Sequence, residues 1–563
     1  MAIIGIDLGT TNSLVACFKD NDVVIIPNSL GERLTPSVVS VLDSGEIIIG
    51  QAAKERQVVK PKYTASAFKR FMGTNKVYRL GRHTLTPVDL SALIIKSLVK
   101  DAEEFLNEKV EEAIISVPAY FNDQQRKATK EAAMLAGIKV ERLINEPTAA
   151  ATAYHLHDSK NEKIVAIVDL GGGTFDVSIL DIFDSILEVR AIAGDNYFGG
   201  EDFDAALVNH VCNSLKIDKA SLTPKEYSRI KYLVEKCKIQ LSTKKQTKLE
   251  VEVMGESHEL IITSDDFQRV VSDLLKKIRE PLKKAIKDAN FNPDDIDEVI
   301  LVGGSTRMHV VRSLVGKLFG FLPLCHLNPD EVVARGAAIC AAMKARNEDL
   351  KDTVLTDVCP FTLGISVAKE ISENEYSYDN FCPLIERNTM IPYSKSQIFS
   401  TVRDDQNSIQ VEVFQGESRK ASENLNLGKL NIKVPPKGKG EAAITVRFTY
   451  DINGILEVEI KSFDTGEVKK AILLNNNQLS DEEIEKRMLE LEKIKIHPRK
   501  QDENMFLLSK GERLYETHLG DLREQIANEL LLFESALDRQ NPDEIKKAVK
   551  RIKEFYEFVE VNF

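Results

Sequence analysis

Two copies of one short motif, each an aspartate followed by a glycine- and threonine-rich turn, are the residues of this sequence best suited to chemistry. The copies are IGIDLGTT at residues 4–11 and AIVDLGGGT at residues 166–174. Backbone amides of such a turn can converge on phosphate oxygens because no Cβ stands in the way, and a threonine hydroxyl adds a donor. Asp7 and Asp169 could approach a phosphate only across a cation, and Mg²⁺ is held by one or two carboxylates while keeping several waters. The motif therefore predicts a Mg²⁺-nucleotide site, with Asp7 and Asp169 on the metal through water.

The spacing of the two copies indicates a duplicated fold. Asp169 follows Asp7 by 162 residues, which is a domain length. Each turn is followed by a second β-rich run, at 13–18 and 175–180, whereas Walker and Rossmann loops lead from a strand into a helix. One copy alone would more often be a plain strand ending in a tight turn. Two copies, with a third glycine turn at 303–307, predict two α/β halves that grip a phosphate chain from opposite sides.

Composition and charge limit the class of protein. The chain has 563 residues, and about 150 residues per domain gives three or four domains. A net charge of −12 argues against a duplex nucleic-acid binder, which needs a basic face. The N-terminus lacks a basic segment, no stretch has the roughly 18 apolar residues of a membrane span, and seven scattered cysteines form no C-x-x-C pair. We therefore expect a cytoplasmic protein with neither a nucleic-acid nor a membrane partner.

The residue pattern changes twice along the chain. Helical and strand periodicities alternate up to an Ala-rich helix at about 329–346, and an acidic segment without a helical stripe follows. From residue 358 the hydrophobic residues alternate with period two, with an Asn-Gly hairpin turn at 453–454. A capping box at 480–483 begins a helical, charged end. We predict domains at 1–348, 358–475 and 476–563, with an interdomain linker at 349–357.

Many segments of the chain resemble the seventy-kilodalton heat-shock chaperone family, which is DnaK-like. They are colinear and fade only in the terminal helices, and within the family they are most similar to the short HscC branch. The resemblance implies an actin-like α/β ATPase domain of two duplicated lobes, a β-sandwich peptide-binding domain and a short α-helical lid. The segments are GIDLGTTNS (5–13), VPAYF (117–121), NEPTAAA (145–151), DLGGGTFDV (169–177), GGEDF (199–203), LVGGSTR (301–307), LTDVCPFTLG (355–364), ERNT (386–389), QGE (415–417) and YDING (450–454).

The same resemblance implies the residues of a slow ATPase that uses ATP/ADP, Mg²⁺ and K⁺. Phosphoryl transfer depends on placement and charge neutralisation, so a lysine, a metal and a few carboxylates suffice. One departure is Ile239, which stands where the family often has an arginine stacked on adenine, so nucleotide is expected to exchange faster. The implied catalytic residues are Lys69, Glu146, Asp169, Thr174 and Asp176. The implied nucleotide-binding residues are Gly9, Thr10, Thr11, Asn12, Gly171, Gly172, Gly173, Thr174, Gly199, Gly200, Glu235, Lys238, Ser242, Gly303, Gly304, Ser305, Arg307 and Asp330.

For the second half of the chain the resemblance implies a clamp for extended hydrophobic segments of unfolded or client proteins, switched between low and high affinity by ATP. Ala368 is small for a residue that arches over a bound backbone, so the grip is expected to differ from that of relatives. A J-domain co-chaperone is an expected partner, whereas dependence on an exchange factor stays open because residues 243–250 are abbreviated. The implied peptide-binding residues are Ile365, Ala368, Phe399, Val402, Ile409 and Val411, and the implied allosteric and J-protein residues are Pro118, Arg126, Arg142 and Asp357.

Two other classes of protein share such an ATPase core. A small-molecule kinase would need an acceptor site in the first domain, and a filament-forming protein would usually end near residue 350. Only the chaperone explains the β-rich and helical remainder. Within that class, a general chaperone and a dedicated regulator of one or a few protein partners remain open.

Overall fold

The computed structural model describes most of the chain as two compact units, Met1–Pro360 and Phe361–Phe563. Residues 349–353 of the predicted linker, Asn453 of the predicted hairpin turn and the predicted capping box at 480–483 lie outside the described residues. No helix in the described part of the chain is long and apolar enough to cross a bilayer. The described residues are 2–140, 142–157, 162–183, 186–253, 255–324, 327–345, 354–372, 375–451, 454–472, 504, 507, 508, 510, 511, 514, 515, 518 and 520–562.

The first half of the N-terminal unit is built on a mixed sheet around the first aspartate motif. β1 (Ala2–Asp7) and β2 (Asn12–Lys19) are antiparallel across the turn, and β10 (Val110–Val117) lies parallel to β1 on its other side. The order of the strands in the sheet is β11-β10-β1-β2-β3, and β4 also pairs with β2. The strands are β1 (Ala2–Asp7), β2 (Asn12–Lys19), β3 (Asp22–Ile26), β4 (Thr35–Pro36), β5 (Val38–Val41), β6 (Ile47–Ile49), β7 (Thr64–Ser66), β8 (Tyr78–Leu80), β9 (His83–Leu85), β10 (Val110–Val117) and β11 (Leu143–Asn145), and the helices are α1 (Gln51–Val59), α2 (Pro87–Leu106), α3 (Asp123–Leu135) and α4 (Glu146–His157).

The second half repeats this arrangement. β12 and β13 are antiparallel across the second aspartate motif, β17 lies parallel to β12, and the order within this unit is β17-β12-β13-β14-β18. This repetition confirms the duplicated strand-turn-strand pattern predicted from the sequence. The strands are β12 (Lys163–Leu170), β13 (Phe175–Phe183), β14 (Ile186–Asp195), β15 (Gln246–Val253), β16 (Glu256–Thr263), β17 (Glu298–Val302) and β18 (Val354–Val358), and the helices are α5 (Gly200–Ser214), α6 (Pro224–Leu241), α7 (Ser264–Val270), α8 (Ser272–Asp288), α9 (His309–Phe319) and α10 (Val332–Lys344).

Two helices rich in small residues hold the two halves together. α4 and α10 contribute buried alanines to one apolar cluster that also contains strand residues of both sheets. The backbones approach so closely that a Cβ on Gly336 would lie 1.7 Å from the Ala149 carbonyl oxygen, and a Cβ on Gly5 would lie 2.2 Å from the Ala338 nitrogen. The Ala- and Gly-rich sequence of these helices is therefore what lets the two halves, and the turns they carry, face each other.

The C-terminal unit contains two four-stranded sheets and two described helices. One sheet has the order β20-β19-β23-β24 and the other β22-β25-β26-β27. The helices pack on each other through a cluster that includes Ile526, Phe533 and Tyr556. The elements are β19 (Leu363–Ser372), β20 (Glu375–Ile385), β21 (Met390–Ile391), β22 (Tyr393–Ser400), β23 (Ser408–Gln415), β24 (Leu425–Lys433), β25 (Ala443–Tyr450), β26 (Leu456–Ser462), β27 (Val468–Ile472), α11 (Asp521–Arg539) and α12 (Pro542–Asn562).

Candidate functional site

A cleft of about 880 Å³ lies where the three glycine turns of the N-terminal unit meet. Gly173 and Gly199 do not line it; they pack against each other, since a Cβ on Gly199 would lie 2.5 Å from the Gly173 nitrogen. The two glycines therefore shape the turn without facing the cleft. The predicted nucleotide-binding residues that do line it are Gly9, Thr10, Thr11, Asn12, Gly171, Gly172, Thr174, Gly200, Glu235, Lys238, Ser242, Gly303, Gly304, Ser305, Arg307 and Asp330.

The glycine turns of the two halves touch each other directly. A Cβ on Gly172 would lie only 1.9 Å from Thr11 Oγ1 in the opposite half. The Gly171 carbonyl oxygen accepts hydrogen bonds from the Gly200 amide at 3.0 Å and from Ser305 Oγ at 2.9 Å. These contacts fix the three turns in one arrangement, so their remaining amides can face a single ligand.

Lys69 and Glu146 form a buried ion pair in the wall of the cleft. Lys69 Nζ donates to Glu146 Oε1 at 2.8 Å, and both residues line the cleft. Lys69 belongs to a short 3₁₀ turn, Phe68–Phe71, while Glu146 begins α4 directly after β11. A buried ammonium is tolerated only when it is paired, so each charge depends on the other.

Three buried aspartates surround this pair. Asp7 and Asp169 line the cleft, whereas Asp176 lies behind it, opposite Asp169 in the β12–β13 register. Burial, followed by the negative charge of Glu146, raises the pKa of Asp7 to about 7 and that of Asp176 to about 8. The same causes raise the pKa of Asp169 well above its ordinary value. The ammonium group of Lys69 is therefore surrounded by four carboxyl groups, those of Glu146, Asp7, Asp169 and Asp176.

This donor set fits a hydrated divalent cation. Excess buried carboxylate is what a bound cation compensates, and Asp176 Oδ2 has no hydrogen-bond partner among the described residues. The described residues contain no group of three His, Cys, Asp or Glu side chains placed to hold a metal directly. Mg²⁺ keeps several of its waters, so Asp7 and Asp169 can hold it in the way that the sequence predicts.

The other end of the cleft suits a nucleoside. Lys238 on α6 forms an ion pair with buried Asp204 at 2.7 Å and donates to the Gly200 carbonyl oxygen at 3.1 Å. Glu235, one turn earlier, lies 3.3 Å from Lys54 of the opposite half. Ile239 lines the cleft and is 60% exposed, so an apolar surface stands open there.

Arg307 and Asp330 also belong to this end of the cleft. Arg307 Nη2 lies 2.7 Å from Asp330 Oδ2 and 2.6 Å from Asn328 Oδ1. Asn328 in turn donates to Glu331, just before α10 begins. The arginine at the mouth of the cleft is thereby held in one orientation.

Part of the predicted linker is a strand of the N-terminal unit. β18 pairs in parallel with β14, with Val354, Leu355 and Thr356 opposite Ile186, Leu187 and Glu188. The sequence predicted a linker over 349–357, and its last residues have strand structure because the edge of β14 supplies backbone partners.

Asp357, at the end of this strand, accepts a hydrogen bond from Asn145 Nδ2 at 2.5 Å. Burial raises the pKa of Asp357, and the nearby charges of Arg126 and Arg142 oppose that rise. Arg126 also donates to Asn145 Oδ1 at 2.6 Å. Two of the four predicted allosteric residues, Arg126 and Asp357, therefore bond to Asn145, which directly precedes Glu146, and the charge of Arg142 acts on Asp357.

Pro118, the fourth predicted allosteric residue, lies just after β10. Its carbonyl oxygen accepts a hydrogen bond from the Phe121 amide, and Arg126 donates to the neighbouring Ala119 carbonyl oxygen. The next amide, that of Tyr120, donates to Asp176 Oδ1 at 3.1 Å. The Pro118 turn is thus joined to the arginine on one side and to the buried aspartate on the other.

The predicted peptide-binding residues lie in the C-terminal unit. Ile365 on β19 is paired with Val413 of β23, so it shares a sheet face with Ile409 and Val411. Phe399 is on β22, the edge strand of the other sheet, and Val402 follows that strand. Ala368 lies at an irregularity of the β19–β20 pairing.

Sequence reasoning missed several residues that complete the sites. Asn145 could have been found, since it stands beside Glu146 in the NEPTAAA segment. No local signal marks Asp204 as the partner of Lys238, or Ser116 as the donor to Asp7 Oδ1 at 2.9 Å. These contacts join residues far apart in the chain.

Comparison with known proteins agrees with this geometry. The family model described as Hsp70 protein matches residues 3–560. The chain is 43% identical over 507 residues to the chaperone protein DnaK of Thermotoga neapolitana, covering 87% of this chain and 83% of the relative. The DnaK of Thermotoga maritima matches equally, at 43% identity with the same coverage. The chain therefore belongs to the Hsp70 family, whose members are ATP-hydrolysing chaperones.

Proposed function

We propose that this chain binds and slowly hydrolyses ATP in the N-terminal cleft and thereby switches its β-rich unit between weak and strong binding of extended hydrophobic polypeptide segments. The proposal rests on two contacts that connect the nucleotide cleft to the linker. Glu146 pairs with Lys69 in the cleft, and the preceding residue, Asn145, donates a hydrogen bond to Asp357 near the end of β18. In domain terms, we propose an actin-like ATPase domain at 1–348, a linker at 349–357, a β-sandwich at 358–475 and a helical lid at 476–563.

In this proposal the protein positions the ATP and the attacking water and neutralises phosphate charge, and no side chain forms a covalent bond to the phosphate. Lys69 offers an ammonium group to the terminal phosphate and to the attacking water, and Glu146 holds that ammonium in place. The hydroxyl of Thr174 adds a donor from the second turn. Asp176, behind Asp169, helps to orient water and metal from the buried side.

Mg²⁺ would be held by Asp7 and Asp169 through water, where it neutralises phosphate charge. Hsp70 proteins use ATP, ADP and Mg²⁺, and K⁺ is a further proposal that rests on the family resemblance. Gly9, Thr10, Thr11 and Asn12 would bind the phosphates from one half, and the 171–174 turn would bind them from the other. Glu235, Lys238 and Ser242 would hold the ribose and base.

The linker strand supports the coupling part of the proposal. β18 is held by backbone pairing and by Thr356 Oγ1, which donates to the Leu187 carbonyl oxygen at 3.4 Å. A change in the cleft that moves Glu146 would also move Asn145, and with it the hydrogen bond to Asp357. We propose that Pro118, Arg126, Arg142 and Asp357 transmit this change and form part of the contact with a J-domain co-chaperone.

The clients are proposed to be extended hydrophobic segments held by Ile365, Ala368, Phe399, Val402, Ile409 and Val411. A dedicated regulator of a few proteins remains the alternative, since the small Ala368 predicts a grip unlike that of relatives. The similarity to the short HscC branch, the cytoplasmic location and the open dependence on an exchange factor also remain predictions.

Peptide-binding kinetics test the proposal. Fluorescence anisotropy of a labelled extended hydrophobic peptide would be followed with ADP and then with ATP, for the wild type and for Lys69→Ala. We expect ATP to speed peptide release in both proteins, and only the wild type to return to tight binding with time, because return requires hydrolysis. Peptide-binding kinetics that are the same with ADP and with ATP would contradict the coupling. If no peptide from a varied panel bound, the result would favour a regulator of one dedicated protein partner.

A further inference from the structure

The β19–β20 hairpin carries two tyrosines that face the crossover loops of the C-terminal unit. Tyr376 and Tyr378 are two residues apart on β20, so their side chains leave the same face of the strand, and their ring centroids are 6.2 Å apart. The loops opposite them are 401–407, from β22 to β23, and 434–442, from β24 to β25. Each loop joins one sheet to the other. We call the β19–β20 hairpin one lip of the unit and the two loops the opposite lip.

Tyr378 and Arg403 form the first contact between these lips. Arg403 Nη2 and Nε donate to the Tyr378 hydroxyl at 2.7 and 3.2 Å. Both side chains are largely exposed, with Tyr378 at 49%. A contact of this kind in water is weak enough to open and close readily.

Lys439 forms a second contact parallel to the first. Its ammonium lies 4.9 Å from the centre of the Tyr376 ring and 3.1 Å from Glu370, which is opposite Tyr376 in the hairpin. The two loops are themselves tied together, because the Lys439 amide donates to Asp404 Oδ1 at 2.7 Å. Arg403 and Lys439 therefore belong to one lip and the two tyrosines to the other.

The first contact lies beside Ala368 and Val402, which by the family resemblance fall where relatives arch over a bound backbone. In the β19–β20 register Val367 pairs with Asn380 and Lys369 with Ser377, so Ala368 is left opposite Tyr378 and Asp379. On the other lip, Arg403 directly follows Val402. The methyl group of Ala368 is too short to make such a contact, whereas Tyr378 beside it reaches Arg403 of the opposite lip.

We propose that Tyr378 with Arg403, and Tyr376 with Lys439, belong to the polypeptide-binding site and form two side-chain bars that close over a bound extended segment. The inference rests on the proposed function of the β-rich unit and adds residues to it. A segment must pass the bars both to enter and to leave, so they limit both rates. The aromatic rings also give a bound backbone an apolar surface that Ala368 lacks.

The test uses the full-length chain with ADP and a fluorescein-labelled extended hydrophobic peptide. Association and competition-driven dissociation would be measured for Tyr378→Ala, Arg403→Gln and the double variant. One exposed contact of this type corresponds to about a three-fold change in rate, so we expect both rates to rise about three-fold in each single variant. The double variant should match the singles, because the two substitutions break the same contact. Adding Lys439→Gln, which opens the second bar, should bring the increase to about ten-fold.

Arg419→Gln is the matched control, since it removes an exposed arginine from the separate loop after β23. It should bind and release peptide at the wild-type rates. Wild-type rates in both Tyr378→Ala and Arg403→Gln would overturn the inference while leaving the proposed function standing. Faster release without faster association would also overturn it, since that result describes a lost contact and not a bar. If the wild type bound no peptide at all, the proposed function would fail and this inference with it.

Discussion

Lys69 Nζ lies 2.8 Å from Glu146 Oε1, and only 3% and 9% of the two side chains are exposed. Because the pair is buried, removing either member leaves an uncompensated charge in the protein interior. The positive charge of Lys69 also opposes the rise that burial causes in the pKa values of Asp7, Asp169 and Asp176.

Lys69→Ala should abolish most ATP hydrolysis while leaving nucleotide binding measurable. Loss of one preorganised charge at a site of phosphoryl transfer costs about 100-fold or more in rate. Single-turnover hydrolysis with radiolabelled ATP measures the rate, and equilibrium titration measures affinity. Lys62→Ala removes an exposed lysine from the same half and serves as the control. A Lys69→Ala rate within about three-fold of wild type would remove Lys69 from the chemistry.

Gly172→Ala should weaken nucleotide binding by about ten-fold or more, since its Cβ would lie 1.9 Å from Thr11 Oγ1 and the two turns would have to separate. Titration with a fluorescent ATP analogue measures the affinity. Thr11→Ala in the same chain removes the clashing hydroxyl, so the double variant should bind more tightly than Gly172→Ala alone. If the double variant bound no better, the loss would come from the approach of the ligand to residue 172 and not from the contact between the turns.

Leu355→Asp should uncouple the nucleotide from peptide release. Leu355 packs against the apolar cluster between the two halves, and its backbone pairs with Leu187, so a charge there displaces the strand. Peptide dissociation, measured with ADP and with ATP, should become the same in both states. Thr356→Val keeps a β-branched residue and loses only the hydroxyl contact to Leu187, so it should retain most of the ATP effect. Full ATP-stimulated release in Leu355→Asp would show that this strand is not the coupling element.

Asp204 makes stability depend on pH. Burial raises its pKa to about 6 and outweighs the attraction of Lys238, so the folded state holds a proton that the unfolded state releases near its ordinary pKa of about 3.9. The folded state therefore binds more protons between these values, and the stabilising contribution, full below the lower pKa, is lost as the pH rises to about 6.

Relative to Asp204→Asn, the wild type should lose about 1 kcal/mol of unfolding free energy between pH 5 and pH 7, and nothing further above pH 7. Urea unfolding of the nucleotide-free protein, followed by circular dichroism, measures the difference. Asp294→Asn changes an exposed carboxylate in the same half and should show no such trend. A difference between wild type and Asp204→Asn that is constant with pH would contradict the raised pKa.

The sequence predicts the elements of the N-terminal unit well, because strong local patterns set them. The apolar run at 112–117 predicts a buried strand, which is β10 (Val110–Val117). The amphipathic pattern at 90–106 predicts a helix, which is α2; it starts at Pro87 because Thr86 and Asp89 form a capping box. The helix expected at 329–346 is shorter, Val332–Lys344. Its predicted first residues instead belong to the segment where Asn328 and Asp330 hold Arg307.

What the sequence could not predict depends on pairing between distant residues. The sequence predicts a linker through residue 357, whereas residues 354–358 form a strand because β14 offers an open edge. Lys238 and Asp204, or Tyr378 and Arg403, meet only through the fold. The close approach of Gly172 to Thr11, in contrast, follows from the glycine-rich turn, since few residue types other than glycine permit it.

The position of β18 also has a consequence for self-association. Without it, β14 would be the outermost strand of its sheet and would present a row of unpaired amide and carbonyl groups, which is a template for the strand of another chain. β18 shields that row. If the linker leaves β14 during each ATP cycle, the unpaired backbone edge of β14 is exposed for as long as the linker is away. The fraction of time that β18 spends unpaired would then set the risk that the chaperone itself aggregates.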